Sequence, residues 1–115
     1  MVNRDVSGAH YGLRDWLAQR LTAILMFMYT LLVIGLLITS PKLDYAAWRE
    51  LFAPQWMKLA TLLFLLSIYL HAWIGMRNIF MDYIKHGGVR LALYAAVIAA
   101  LVAYAAWSVQ ILWSI

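Results

Sequence analysis

At 115 residues the chain is about one domain long, and a composition that is 66% apolar and only 12% charged excludes a water-soluble globule, because a soluble domain carries roughly a quarter charged residues. The net charge of +4 comes from nine Lys and Arg against five Asp and Glu, dispersed singly between apolar blocks, so no basic run of the kind that grips nucleic acid is present. There is no cysteine, which excludes a disulfide framework and any thiolate metal site within the chain.

Residues 1–20 are polar and mixed, with Asn3, Arg4, Asp5, Ser7, Gly8, His10, Gly12, Arg14 and Asp15. Leu21 to Thr39 then runs without a charge. At about 1.5 Å per residue it matches a hydrocarbon layer of about 30 Å, which predicts a first transmembrane helix over 21–39. No small-residue cleavage pattern follows it, so it is expected to stay as an uncleaved anchor. Ser40–Pro41 ends it, and a loop with Lys42, Asp44, Arg49, Glu50 and Pro54 follows. Within this loop Tyr45–Phe52 is expected to form a short interfacial helix, with Trp48 and Trp56 at headgroup depth. The second predicted span covers 57–76, with Lys58 near its start and one ionisable group inside, His71. A polar return holds Arg77, Asn78, Asp82, Lys85, His86 and the Gly87–Gly88 break. The third span, 89–113, is alanine-rich and uncharged after Arg90.

Each span must be helical, because three segments cannot close a barrel and backbone groups in lipid need partners within the segment. The expected fold class is therefore an all-α membrane protein with three transmembrane helices in a single membrane-anchor domain. On the third span, Ala96/Ala100 and Ala99/Ala103 would let another helix come close, although an alanine-rich apolar helix has the same appearance. Arg4, Arg14, Arg20, Arg77, Lys85 and Arg90 flank one side of the predicted spans, and Lys42, Arg49 and Lys58 the other. That bias places the N-terminus and the second loop in the cytoplasm and the C-terminus outside.

His71 carries the sharpest chemical signal, because an ionisable group inside a span is costly and marks a functional candidate. Ser67, His71 and Gly75 are one helical turn apart and share a face, leaving room beside the imidazole. A neutral imidazole is a good axial ligand for haem iron; an imidazole hydrogen-bonded to a neighbouring helix is the alternative. His10 and His86 lie in polar segments, so a haem held from both sides needs a ligand from a second chain. Asp82 follows His71 by close to three helical turns, about 16 Å along the axis, with Asn78 near the same stripe. Asp82 and Tyr83 could bind a carbonyl headgroup at the membrane boundary and handle its protons; an interfacial tyrosine and a solvated aspartate are the plain alternative. Arg20 could pair with a haem propionate or simply snorkel at a span end.

Two motifs carry a resemblance to a known family. Trp16-Leu17-Ala18-Gln19-Arg20-Leu21-Thr22-Ala23 looks like a W-x-x-Q-R-x-T-A opening of the first span, and His71-Ala72-Trp73-Ile74-Gly75-Met76 with Asp82-Tyr83 looks like H-x3-G-x6-D-Y. With three spans and matching loops, the chain resembles, over nearly its whole length, the D-type membrane-anchor subunit of succinate dehydrogenase (succinate:quinone oxidoreductase, complex II). The resemblance implies a bacterial cytoplasmic (inner) membrane protein that pairs with a second, C-type anchor subunit in a six-helix bundle binding haem b. A flavoprotein subunit and an iron–sulfur subunit would dock on the cytoplasmic face. Electrons from succinate, an intermediate of the tricarboxylic acid cycle, would pass from the flavin through iron–sulfur clusters to ubiquinone. It further implies that His71 is an axial haem ligand, that Tyr83 binds the quinone with support from Asp82, and that Arg20 lies near a haem propionate. Some members carry a histidine just before the tryptophan of the first motif, near the haem edge; here Arg14–Asp15 stands there, with His10 further upstream. Competing readings are the anchor of a fumarate reductase, a small proton-coupled transporter subunit relaying protons through His71 and Asp82, and a ligand-free structural anchor. Every span lacks an acidic residue, which counts against the transporter.

Overall fold

The computed structural model describes the backbone of residues 2–115 and the side chains of residues 12–115. Four helices follow one another: α1 (Val2–Thr39), α2 (Tyr45–Phe52), α3 (Gln55–Tyr83) and α4 (Gly87–Leu112). Three of them hold stretches long and apolar enough to cross a membrane: Gly12–Thr39, Gln55–Tyr83 and Gly87–Leu112. The expected fold class, an all-α chain with three transmembrane helices, is what the structure contains.

The ends of the helices follow from local chemistry. α1 starts well before the charge-free run, because no proline interrupts the chain until Pro41 and polar residues are compatible with helix outside the hydrocarbon. α2 occupies the interfacial segment, and Asp44 caps it by accepting a hydrogen bond from the Ala47 amide at 2.9 Å. α3 continues beyond Met76 to Tyr83, so that Arg77, Asn78 and Asp82 project from helix and not from a loop. The return to α4 is tight. His86 caps α4 by accepting from the Val89 amide through Nδ1 at 3.2 Å, and Arg90 donates through Nε and Nη2 to the Ile84 carbonyl at 3.2 and 2.8 Å.

α3 is the central element, packed against both α1 and α4. The layer it forms is elongated, with principal extents of 62 × 27 × 21 Å. Its interior is inverted relative to a soluble protein. Thr22, Thr61, Ser67 and Ser108 are buried beside Met57, Ile74 and Leu112, while most Leu, Ile, Phe and Trp side chains, such as Phe27, Ile38, Leu91 and Trp107, are exposed or only partly covered. Lipid is as apolar as leucine, so helices in a bilayer associate through small and polar side chains and close packing.

Asp15, Thr22 and Tyr29, each seven residues after the last, all face α3. A seven-residue repeat keeps one stripe of a helix on its partner over several turns. Running antiparallel, α3 answers with Arg77, His71 and Thr61 in that order. Tyr29 also stacks on Phe64, with ring centres 4.3 Å apart. The α3–α4 seam uses Tyr69, hydrogen-bonded to Ser108 at 2.6 Å, and Trp73 and Phe80 against Tyr94. Ala96, Ala99 and Ala103 lie outside this seam and are exposed.

Candidate functional site

His71 lies inside α3 and is half-buried. Its Nδ1 is 2.9 Å from Thr22 Oγ1 on α1. Its Nε2 takes part in no hydrogen bond among the described residues and is not one of the sealed polar atoms without a partner. The second ring nitrogen is therefore open at the surface of the chain. Of the two readings of the imidazole, the hydrogen bond to a neighbouring helix is present, and the second ring nitrogen has no partner among the described residues.

Of the stripe Ser67, His71, Gly75 and Asn78, the last three meet α1. Ser67 is buried and donates to the Leu63 carbonyl at 2.9 Å. A Cβ at Gly75 would meet Gln19 Nε2 at 3.9 Å, an ordinary contact, so the space beside Gly75 borders the Gln19 side chain. One turn further, Asn78 lines a cleft of about 650 Å³ with Gly12, Asp15, Trp16, Gln19, Arg20 and Met81. Arg20 is exposed there, its guanidinium 5.3 Å from the centre of the Trp16 ring. Stacked in this way, it holds a positive charge at the exposed rim of the cleft. Asp15, one of the lining residues, is ion-paired with Arg77 of α3. Gln19 Oε1 and Arg77 Nε are buried nearby without hydrogen-bond partners among the described residues.

Tyr83 is the last residue of α3 and 77% exposed. Asp82 beside it is exposed too. The short return, hydrogen-bonded through His86 and Arg90, follows directly, so both are presented from the end of a helix. They do not line the Arg20 cleft, nor does His71. Asp82 shares no hydrogen bond with His71, from which it is separated by about 16 Å of helix.

Arg14 is exposed, and His10 lies outside the residues whose side chains are described. Thr22, Asp15 and Arg77 are the participants that sequence reasoning did not single out. Thr22 stands inside the first motif, and the seven-residue spacing of Asp15, Thr22 and Tyr29 was the signal that could have found it.

No group of three or more His, Cys, Asp or Glu able to hold a metal ion exists among the described residues. A lone imidazole fits a metal that brings its own equatorial ligands, and haem is such a group.

These features define a multi-pass helical membrane protein whose polar groups gather in one interhelical seam and at the ends of its central helix. Residues 2–107 match the model of the succinate dehydrogenase/fumarate reductase transmembrane subunits, and the chain belongs to that family. It is similar to the succinate dehydrogenase hydrophobic membrane anchor subunit of Coxiella burnetii (strain RSA 493 / Nine Mile phase I), with 44% identity over 113 residues, covering 98% of this chain and 96% of the relative. The resemblance carried by the two motifs is thereby borne out. As a member of the family the chain is a membrane subunit of a larger oxidoreductase complex.

Proposed function

We propose that this chain is the D-type anchor of a succinate dehydrogenase, supplying one axial ligand to haem b and part of a ubiquinone-reduction site. Succinate dehydrogenase is favoured over fumarate reductase by the similarity to the Coxiella burnetii subunit. The observation that carries the haem assignment is His71, with Nδ1 engaged by Thr22 and Nε2 open. Haem, when bound, supplies a one-electron redox centre. His71 would hold it by Nε2 from this side, and a C-type anchor chain would supply the opposite ligand and complete a six-helix bundle. Arg20, exposed and stacked on Trp16, would meet a propionate.

Tyr83 would donate its phenolic proton as a hydrogen bond to a quinone carbonyl. Asp82, next to it in sequence, would polarise that site and accept or return protons through solvent. The chain itself would hold no flavin, no iron–sulfur cluster and no succinate; those belong to the flavoprotein and iron–sulfur subunits. The excess of basic residues beside Asp82 and Tyr83 supports a cytoplasmic location for that end, with the N-terminus inside and the C-terminus outside a bacterial cytoplasmic membrane.

The test is His71→Ala in the assembled complex, read by the dithionite-reduced minus oxidised spectrum. The expected result is an altered or weakened b-type haem signal with the chain still inserted in the membrane. An unchanged spectrum at full haem occupancy would sink the assignment.

A further inference from the structure

Thr22 makes three contacts through one hydroxyl. Its Oγ1 lies 2.7 Å from the Ala18 carbonyl, 3.1 Å from the Gln19 carbonyl and 2.9 Å from His71 Nδ1. A hydroxyl has one proton and two lone pairs, and a carbonyl oxygen only accepts. If the proton pointed at His71, the oxygen would press its lone pairs against the Ala18 carbonyl at 2.7 Å. The proton therefore goes back to α1, as is common for a threonine inside a helix. What remains toward His71 is a lone pair, and the imidazole must be the donor. Thr22 is only 5% exposed, so no water competes for this contact.

We propose that Thr22 is a positioning residue that fixes His71 in the Nδ1–H tautomer, leaving Nε2 as the bare, metal-competent nitrogen. This rests on the reading of His71 as a haem ligand and deepens it. The other nitrogen of a metal-ligating histidine is normally held by a polar partner, which sets ring orientation and raises the ligand's basicity. In this chain that partner is a hydroxyl anchored to α1. The angle of the imidazole is thus set by the register of α1 against α3 and is in place without the cofactor. A more basic imidazole favours the ferric state, so the Thr22 contact holds the haem potential down.

The experiment compares Thr22→Val, Thr22→Ala and Thr22→Ser in the purified complex, read by the haem midpoint potential and the low-temperature electron paramagnetic resonance of the oxidised haem. Val keeps the shape and removes the oxygen, Ala removes both, and Ser restores the oxygen. The expected outcome is an upward shift of the potential and a displaced lowest-field resonance in Val and Ala alike, with Ser close to the unmodified protein. Unshifted potential and resonance in Val and Ala overturn the proposal, as does a shift of equal size in Ser. Failure of both Val and Ala to assemble, with Ser intact, also overturns it and assigns the hydroxyl to helix packing. The parent reading fails separately: if His71→Ala leaves the haem spectrum intact, the ligand is elsewhere, whatever Thr22 does. If His71→Ala alters the spectrum and Thr22→Val does not, only the positioning role is lost.

Discussion

Asp15 and Arg77 form an ion pair across the α1–α3 seam, each side chain 31% exposed, at the end of the seam nearest Tyr83. The pair ties α1 to α3 beside the cleft that carries Arg20, which Asp15 helps to line. The contact is partly screened by water, so its strength is that of a semi-exposed pair, on the order of 1 kcal/mol. Asp15→Asn is expected to lower the thermal stability of the solubilised complex modestly. Arg77→Met should cost about the same, and the double variant less than the sum of the two. A thermal-denaturation double-mutant cycle measures this; strict additivity would mean that the two charges do not support each other.

Tyr83→Phe removes one hydroxyl from an exposed helix end that makes few contacts with the rest of the chain. Folding should be unaffected. Quinone reductase activity is expected to fall at least severalfold, while succinate oxidation with a soluble artificial acceptor is retained. Parallel steady-state assays distinguish the outcomes, since equal loss in both would indicate defective assembly.

His86 is committed to capping α4 through Nδ1. His86→Ala is expected to cost on the order of 1 kcal/mol, as the loss of a helix cap does, and to leave the haem spectrum unaltered. His86→Asn, which restores a capping acceptor, should recover most of the loss. Melting curves recorded beside optical spectra would separate this structural histidine from His71, and a haem shift in His86→Ala would contradict the separation.

The membrane-spanning helices were legible because charge-free runs of helical length have few other uses. The short α2 was legible as Tyr45–Phe52, in the loop after Ser40–Pro41 with Trp48 and Trp56 as its aromatic markers. The helical extension of α1 ahead of Leu21 was not, because its polar, mixed residues carry no apolar periodicity that would mark them as helix. His71 and Tyr83 were visible as residue types out of place or at a boundary, and the two motifs gave them roles. Which face His71 turned to, and what it touched, was not visible. The Ser67–His71–Gly75 stripe suggested an open flank, whereas Ser67 is buried and Gly75 borders Gln19. Partners across a seam follow from helix register, and register is a property of two helices together. The seven-residue spacing of Asp15, Thr22 and Tyr29 was the one trace of it in the amino-acid order.

The inverted interior has a consequence for how a solitary copy would fare. Its greasy flanks already match the surrounding acyl chains, so a lone chain in the bilayer suffers little for being alone. Hiding apolar surface, the force that drives soluble subunits together, offers almost no reward here. Recruitment into the complex has to come from a few specific attractions, such as a shared prosthetic group, an exposed arginine or a close-fitting alanine face. Where those are missing, nothing in the physics of the membrane would mark the orphan as unfinished.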